Sequence, residues 1–459
     1  MKRLIFIGIM MAALPLAAQT SATNKAKAAT VQDDTTKVEG NEPPDMPPPG
    51  EGRPDRPPMD GQGGPGNGHG RPMGMPPGGG PGHGQQKESS VSKDGLWLKT
   101  GEKTVSGTTY RSTGVDENAI KVSGGTLHLN QVTINKTGAD SNDGDGTSFY
   151  GTNAAILVQK GGTLAMQGDS ITTTAVGANG IVASGGTVNV SDVVIHCAGH
   201  LSRGIHATNG GTINASNLHI TTKGNNSSVI ATDRGGGTVT VNGGQYKAAG
   251  KDCAVCYSTG VITVNHITGL SEQGEVGVIE GDNEININDC DMTSGDSRRG
   301  LMILQSGSGD AQGNNGRINI TGGCLTLTSA VAPLIEITTS TQGTLTLKDV
   351  ELTVPSGILL KADYNKRWHT TSPIAHLILS STNTYEYNGD VTADAYATTT
   401  VTVEKGVTWN GAYDTAGTGK STSVEVSGVW NLTADSHVGN VVVKEGGVIN
   451  KNGHQLIQK

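Results

Sequence analysis

The stretch "GGTVNVSDVVIHCAGHLSRGIHATNGGTINASNLHI", Gly185 to Ile220, contains a Gly-Gly-Thr, an alternating apolar run, and then Gly-Gly-Thr again. The same phrase opens "GGTLHLNQVTINKTG" at Gly124, "GGTLAMQGDSITTT" at Gly161 and "GGTVTVNGGQYKAAG" at Gly236. The later copies recur about every 24 residues, the period of a stacked repeat rather than of a folded globule. Diverged copies continue at "GVITVNHITG" (Gly260), "NEININDCDMTSG" (Asn283), "GRINITGGCLTLTS" (Gly316) and "GTLTLKDVELTVPSG" (Gly343).

Within each copy apolar and polar residues alternate, and because successive strand side chains point to opposite faces, one side of each strand must enter a core. Leu127, Leu129, Val132 and Ile134 are expected inside. So are Val188, Val190, Val193 and Ile195, and then Ile213, Ala215, Leu218 and Ile220. A third short strand follows each pair, with Ile181, Ile205, Val255 and Val278 expected at equivalent inward places. Asp192, Asn217, Asp289 and Asp349 fall at one corner of the repeat, where a short polar residue tolerates the dihedrals of a sharp bend. Three strands per repeat with no helical period predict an all-β chain, a right-handed parallel β-helix: a single-stranded solenoid with three short strands per rung. Rungs about 4.8 Å apart make like residues stack, so Val188, Ile213 and Val239 are expected in one vertical file.

Composition agrees. The 459 residues include 69 glycines, 2 phenylalanines and 3% aromatics, and the narrow interior of such a coil is expected to suit aliphatic side chains better than rings. A net charge of -8 leaves no basic excess for nucleic acid. Residues 1–20, "MKRLIFIGIMMAALPLAAQT", have the layout of a secretory signal peptide with cleavage near Ala18, and no cysteine follows to carry a lipid. Residues 21–92 form a Pro/Gly-rich linker, expected to be disordered, and residues 93–459 the β-helix domain. No stretch approaches the roughly 20 apolar residues of a transmembrane helix. The expected location is outside the cell or on its surface, the expected state a monomer. Five cysteines are an odd count for a disulfide framework. Cys253 and Cys256, in "CAVC", read better as stacked small residues than as a redox pair, because residues three apart on a strand diverge.

Taken in order, "ANGIVASGGTV", "SRGIHATNGGTI", "IATDRGGGTVTVNGG", "GVIEGDNEI" and "RRGLMILQSGSGDA" resemble right-handed parallel β-helix proteins of the pectin-lyase-like class. They are most similar to an adhesin-like family of secreted bacterial proteins with no assigned chemistry. The resemblance implies the fold and display on a surface. Pectate lyases of the class hold calcium in acidic clusters, and the nearest counterpart is "TGADSNDGDGTSFYG", where Asp140, Asp143 and Asp145 lie in an insertion. Calcium is thus the one cofactor to test, although Gly144 stands where an EF-hand needs a ligand. The polygalacturonase set of the class has no counterpart in the repeats.

Two further groups are candidates for ligand contact. Arg203, Arg234 and Arg299 lie before or after third strands and could fork onto acidic groups of a polymer or partner. Tyr364, Arg367 and Trp368, in "YNKRWHT", break the repeat with a loop whose rings could stack on sugar. The expected function is an exported, adhesin-like interaction protein without catalysis, its partner an extracellular glycan or surface protein. A polysaccharide-binding module assisted by calcium is the second reading, a polysaccharide lyase or hydrolase the third.

Overall fold

The computed structural model describes residues 88–459 except 297, 306–310, 339–341 and 366–371. The expected signal peptide, nearly all of the linker, and Arg367 and Trp368 lie outside the described residues. Among the described residues, strands run from Ser90 to Gln458 as a parallel β-solenoid.

Three columns of strands build it. The first face runs from Glu102–Ser106 to Asn440–Val443, and the second from Thr109–Ser112 to Glu351–Thr353. A third starts at Ser90–Leu98 and ends at Asp390–Ala393. Near the C-terminus a four-stranded column from Tyr385–Asn388 to Val448–Asn450 follows the first-face strands in chain order. Every paired strand in these columns is parallel, and the register is continuous except at irregularities between Val91 and Leu96, Ala248 and Lys251, and Ile358 and Leu360. Leu164, Val188, Ile213, Val239, Ile262 and Ile285 form one file, each beside the next and each with no exposed surface. Fully burying such a side chain is worth about 1.5–3 kcal/mol. Repetition along the file therefore compensates for a core only a few side chains wide. All twelve residues predicted to face inward on the first and second faces are buried.

The corner between those faces has one mechanical requirement. Gln131, Asp192, Asn217, His266, Asp289 and Asp349 have φ between 49° and 56°, and Gly168, Gly243 and Gly322 fill the intervening rungs at φ 63–68°. The left-handed conformation costs an ordinary residue about 1–2 kcal/mol, and Asn, Asp and Gly least. Asn217→Val should lower the unfolding midpoint by an amount equivalent to about 1–2 kcal/mol, whereas Asn217→Gly should leave it within a few tenths, measured by thermal denaturation.

On the third face the sequence reading is off by one place. Ile181, Ile205, Ile230 and Cys256 share the inward column, so Val255 lies inward one place earlier. Val278 is not inward: it is beside Tyr257 in the outward column and packs with Ala254, Met302 and Leu304. The short "CAVC" segment enters its strand with two consecutive buried residues, which shifts simple alternation. His206 correspondingly stacks toward Tyr257, through Ala231, rather than toward Cys256. The aromatic expectation also needs correction. Trp409, Trp430, Tyr387, Tyr413 and Tyr246 are all buried, and most belong to the C-terminal rungs, where rings stack on rings instead of on aliphatics.

Candidate functional site

Two outer surfaces depart from simple scaffolding. The first is on the first face. There the outward residues of successive rungs, among them His128, Gln167, Asn189, Asn214, Thr240 and Asn242, line a shallow groove of about 600 Å³. No Asp, Glu, Lys or Arg lines it. The side chains run in files at rung spacing: Asn214 Nδ2 donates to Asn189 Oδ1 at 3.0 Å, and Asn265 Nδ2 to Asn242 Oδ1 at 2.9 Å. Each amide keeps further donor or acceptor capacity, so the groove offers regularly spaced neutral hydrogen-bonding groups along the solenoid. These positions were passed over in the sequence because they read as the solvated half of the alternation. The signal that could have found them is the return of Asn, Thr or Ser, and rarely a charge, at the same outward places.

The second surface is the outer side of the third face, where the insertion folds. Residues Gly146–Tyr150 make a single π-helical turn. Beside it, Gly151 lies so close to Leu157 and Val182 that a Cβ there would meet their side chains at 3.0 Å or less. The insertion thus covers a small apolar cluster of Ala154, Leu157 and Val182 that would otherwise face solvent. Its carboxylates serve the backbone. Asp143 Oδ1 accepts the Gly146 N–H at 2.8 Å, and Asp140 Oδ1 accepts the Val176 N–H at 2.8 Å, while Asp145 precedes the π-turn. Among the described residues no group of three or more His, Cys, Asp or Glu is gathered to hold a metal ion.

Arg203 and Arg234 do meet the insertion. The Arg203 guanidinium donates to Ser148 Oγ at 3.0 Å and to Asp233 Oδ2 at 3.1 Å, with only 2% of its side chain exposed. Arg234 lays its guanidinium 3.8 Å from the centre of the Phe149 ring. The Phe149 carbonyl accepts from Thr208 Oγ1 and Asn209 Nδ2, both at 2.9 Å. Close by are His206 and the pair Tyr257–Glu280, whose hydroxyl and carboxylate are 3.0 Å apart.

Arg299 is elsewhere along the column, in an ion ladder. It donates to Glu275 Oε1 at 2.9 Å and to Glu336 Oε2. Lys361 bridges Glu336 and Asp363 at 3.7 and 2.9 Å. Burial pushes the Asp363 carboxyl up to about 6, and the neighbouring Glu336 adds to the rise. Arg298 holds Asp252 and Asp296, each at 2.7 Å. Beyond the ladder Tyr364 packs against Tyr396 with ring centres 5.0 Å apart, and its N–H donates to Asp394.

The cysteines are free thiols. Burial pushes Cys253 up to about 12 and Cys197 to about 11, which opposes thiolate formation at neutral pH. No protein-family model matches the chain, and neither the curated proteins nor the solved structures contain a match.

Proposed function

We propose that this chain is an exported, adhesin-like binding protein that holds an extended, uncharged glycan along the groove of its first face. The observation that carries the reading is that groove: amide and hydroxyl side chains in files beside apolar Ala165, Met166 and Val190, with no Asp, Glu, Lys or Arg in its lining. An extended glycan presents a hydroxyl or ring oxygen at regular intervals, and side chains repeated every 4.8 Å or so can meet it sugar after sugar. Affinity of this kind is modest per sugar and accumulates along the chain. The resemblance to secreted β-helix proteins of the pectin-lyase-like class supports the same setting. The signal-peptide pattern of residues 1–20 supports export.

Calorimetric titration with neutral oligosaccharides of increasing length is the test. Binding should strengthen with each added sugar until the ligand spans the rungs from Thr104 to Thr240, then level off. Asn214→Leu should weaken it about tenfold, the effect of leaving two or so neutral hydrogen bonds unmade. EDTA should have no effect, because Asp140, Asp143 and Asp145 belong to the insertion over the third face. Loss of binding in EDTA would favour the calcium-assisted reading. Binding confined to acidic polymers would move the site to the arginines, and failure to bind any neutral glycan would refute the proposal.

A further inference from the structure

His206 breaks the pattern of its column. Its side chain has no exposed surface, and neither ring nitrogen makes a hydrogen bond among the described residues. Burying an imidazole without partners is costly, and a solenoid that needed only a spacer there could use the Val of Val182 or the Ala of Ala231, its neighbours in the same column. The surroundings explain what a titratable ring would do. Arg203, on the same rung, joins Asp233 to Ser148 of the insertion. Asp233 Oδ2 is 3.8 Å from His206 Nε2 and already bound by Arg203. Arg234 lies on the Phe149 ring, and Tyr257 with Glu280 stands on the following rungs. From the insertion come the Ser148 hydroxyl and the Phe149 ring and carbonyl.

We propose that His206 is the acid-sensitive catch of a clasp, in which the insertion around Gly146–Tyr150 is closed over the outer third face at neutral pH and released when the ring takes up a proton. A protonated His206 would be a third cation beside Arg203 and Arg234, where Asp233 is already engaged by Arg203 and Glu280 by the Tyr257 hydroxyl. In a site closed to water that excess is relieved by parting Arg203 from Ser148 and lifting Phe149. Release would expose Leu157, Val182 and Phe149 together, an apolar patch the closed form hides.

The sign follows from linkage. Burial first, and the Arg203 charge second, hold the ring's pKa well below its ordinary 6.5 in the closed form. The open form, with an ordinary imidazole, therefore binds the extra proton. The ring's contribution to closure is fully present well above 6.5 and lost as pH falls below it, the change in the opening constant approaching tenfold per pH unit. The inference stands apart from the glycan reading, since the groove is on another face.

Hydrogen–deuterium exchange tests it on the whole chain. After correction for intrinsic exchange, amides of residues 146–155 should open about fivefold more at pH 5.5 than at pH 6.5, while those of the first-face strand Thr398–Val403 should not change. H206Q should abolish the pH dependence. S148A keeps the titrating ring but loosens the clasp, so it should raise opening by a constant factor at both pH values and preserve the slope. A wild-type insertion that opens equally at the two pH values overturns the proposal whether or not H206Q folds, and so does an H206Q protein that retains the wild-type slope.

Discussion

Replacing Arg299 by methionine should destabilise the solenoid by about 3–5 kcal/mol at pH 7, the cost of removing one partner from buried ion pairs. Arg299 is the cation between Glu275 and Glu336, whose side chains are 6% and 9% exposed. Methionine fills much of the space but leaves both carboxylates facing a low-dielectric site, with Lys361 3.7 Å from Glu336 and Arg298 3.9 Å from Glu275 as the remaining cations. The pH dependence separates this cause from lost packing. In the native chain burial opposes ionisation of Glu336, yet Arg299 and Lys361 outweigh it and hold the carboxyl below its usual range. Its contribution is present above about 4.5 and lost as pH falls through the lowered folded value. Glu275 goes the other way: burial raises it despite Arg299, so it favours the fold at low pH and less so as pH rises. Without Arg299 both folded values rise, and protonation relieves the strain. The difference between variant and native chain should be largest near pH 7 and shrink toward pH 4, measured by urea unfolding. An undiminished difference at pH 4 would mean that packing, not charge, is lost. Adding Glu336→Gln to the variant should recover part of the loss at pH 7 and little at pH 4.

Local repetition explains what could be read without coordinates. The file Leu164–Val188–Ile213–Val239 follows from alternation and period alone, because a one-place slip in any rung would expose its aliphatics. The bend at Asp192 and Asn217 is equally local, a property of which residues tolerate positive φ. What the sequence hides is lateral. Nothing in "TGADSNDGDGTSFYG" says that the segment folds back over Leu157 and Val182, so its three aspartates read as a cation loop when two of them hold backbone amides. Arg203, Arg234 and Arg299 look equivalent in "SRG", "DRG" and "RRG". Arg203 and Arg299 find partners 24 to 55 residues away and Arg234 lies on the still more distant Phe149, and those partners separate a clasp from an ion ladder. Val278 was misplaced for a related reason: consecutive buried residues at Val255 and Cys256 break the alternation that would have set its register. Lys136 is a fourth case. It occupies the inward place that Thr173 and Cys197 take in the next rungs, donates to the Gly114 carbonyl, and is pushed down by burial to about 8.

Trp430→Ala should cost about 3–5 kcal/mol, the range for deleting a large buried ring, and the damage should be confined to one end of the solenoid. The rings of Trp409 and Trp430 lie 4.9 Å apart and 9° from parallel, which is rung spacing expressed by aromatics. Tyr387 precedes them in the file and Ile449 follows. Each indole N–H reaches a backbone carbonyl, Trp409 to Gly389 at 2.8 Å and Trp430 to Gly411 at 2.9 Å, so each ring also satisfies a buried acceptor. Gly411 has to be glycine for the same geometry, since a Cβ there would sit 2.1 Å from the Gly389 oxygen and 2.5 Å from the Trp409 indole nitrogen. Alanine at 430 therefore opens a ring-sized cavity and strands the Gly411 carbonyl, while Trp430→Phe should cost less because the stack survives without its hydrogen bond. In a stack of rungs each repeat contacts only its neighbours, so the loss should propagate by nearest-neighbour steps. Exchange protection should fall from Tyr385 to Asn450 and persist in the rungs around Val188 and Ile213. Near-ultraviolet circular dichroism should lose the signal of the coupled indoles in both variants. Uniform loss of protection along the chain would show one global cooperative unit and contradict the rung-by-rung account of its stability.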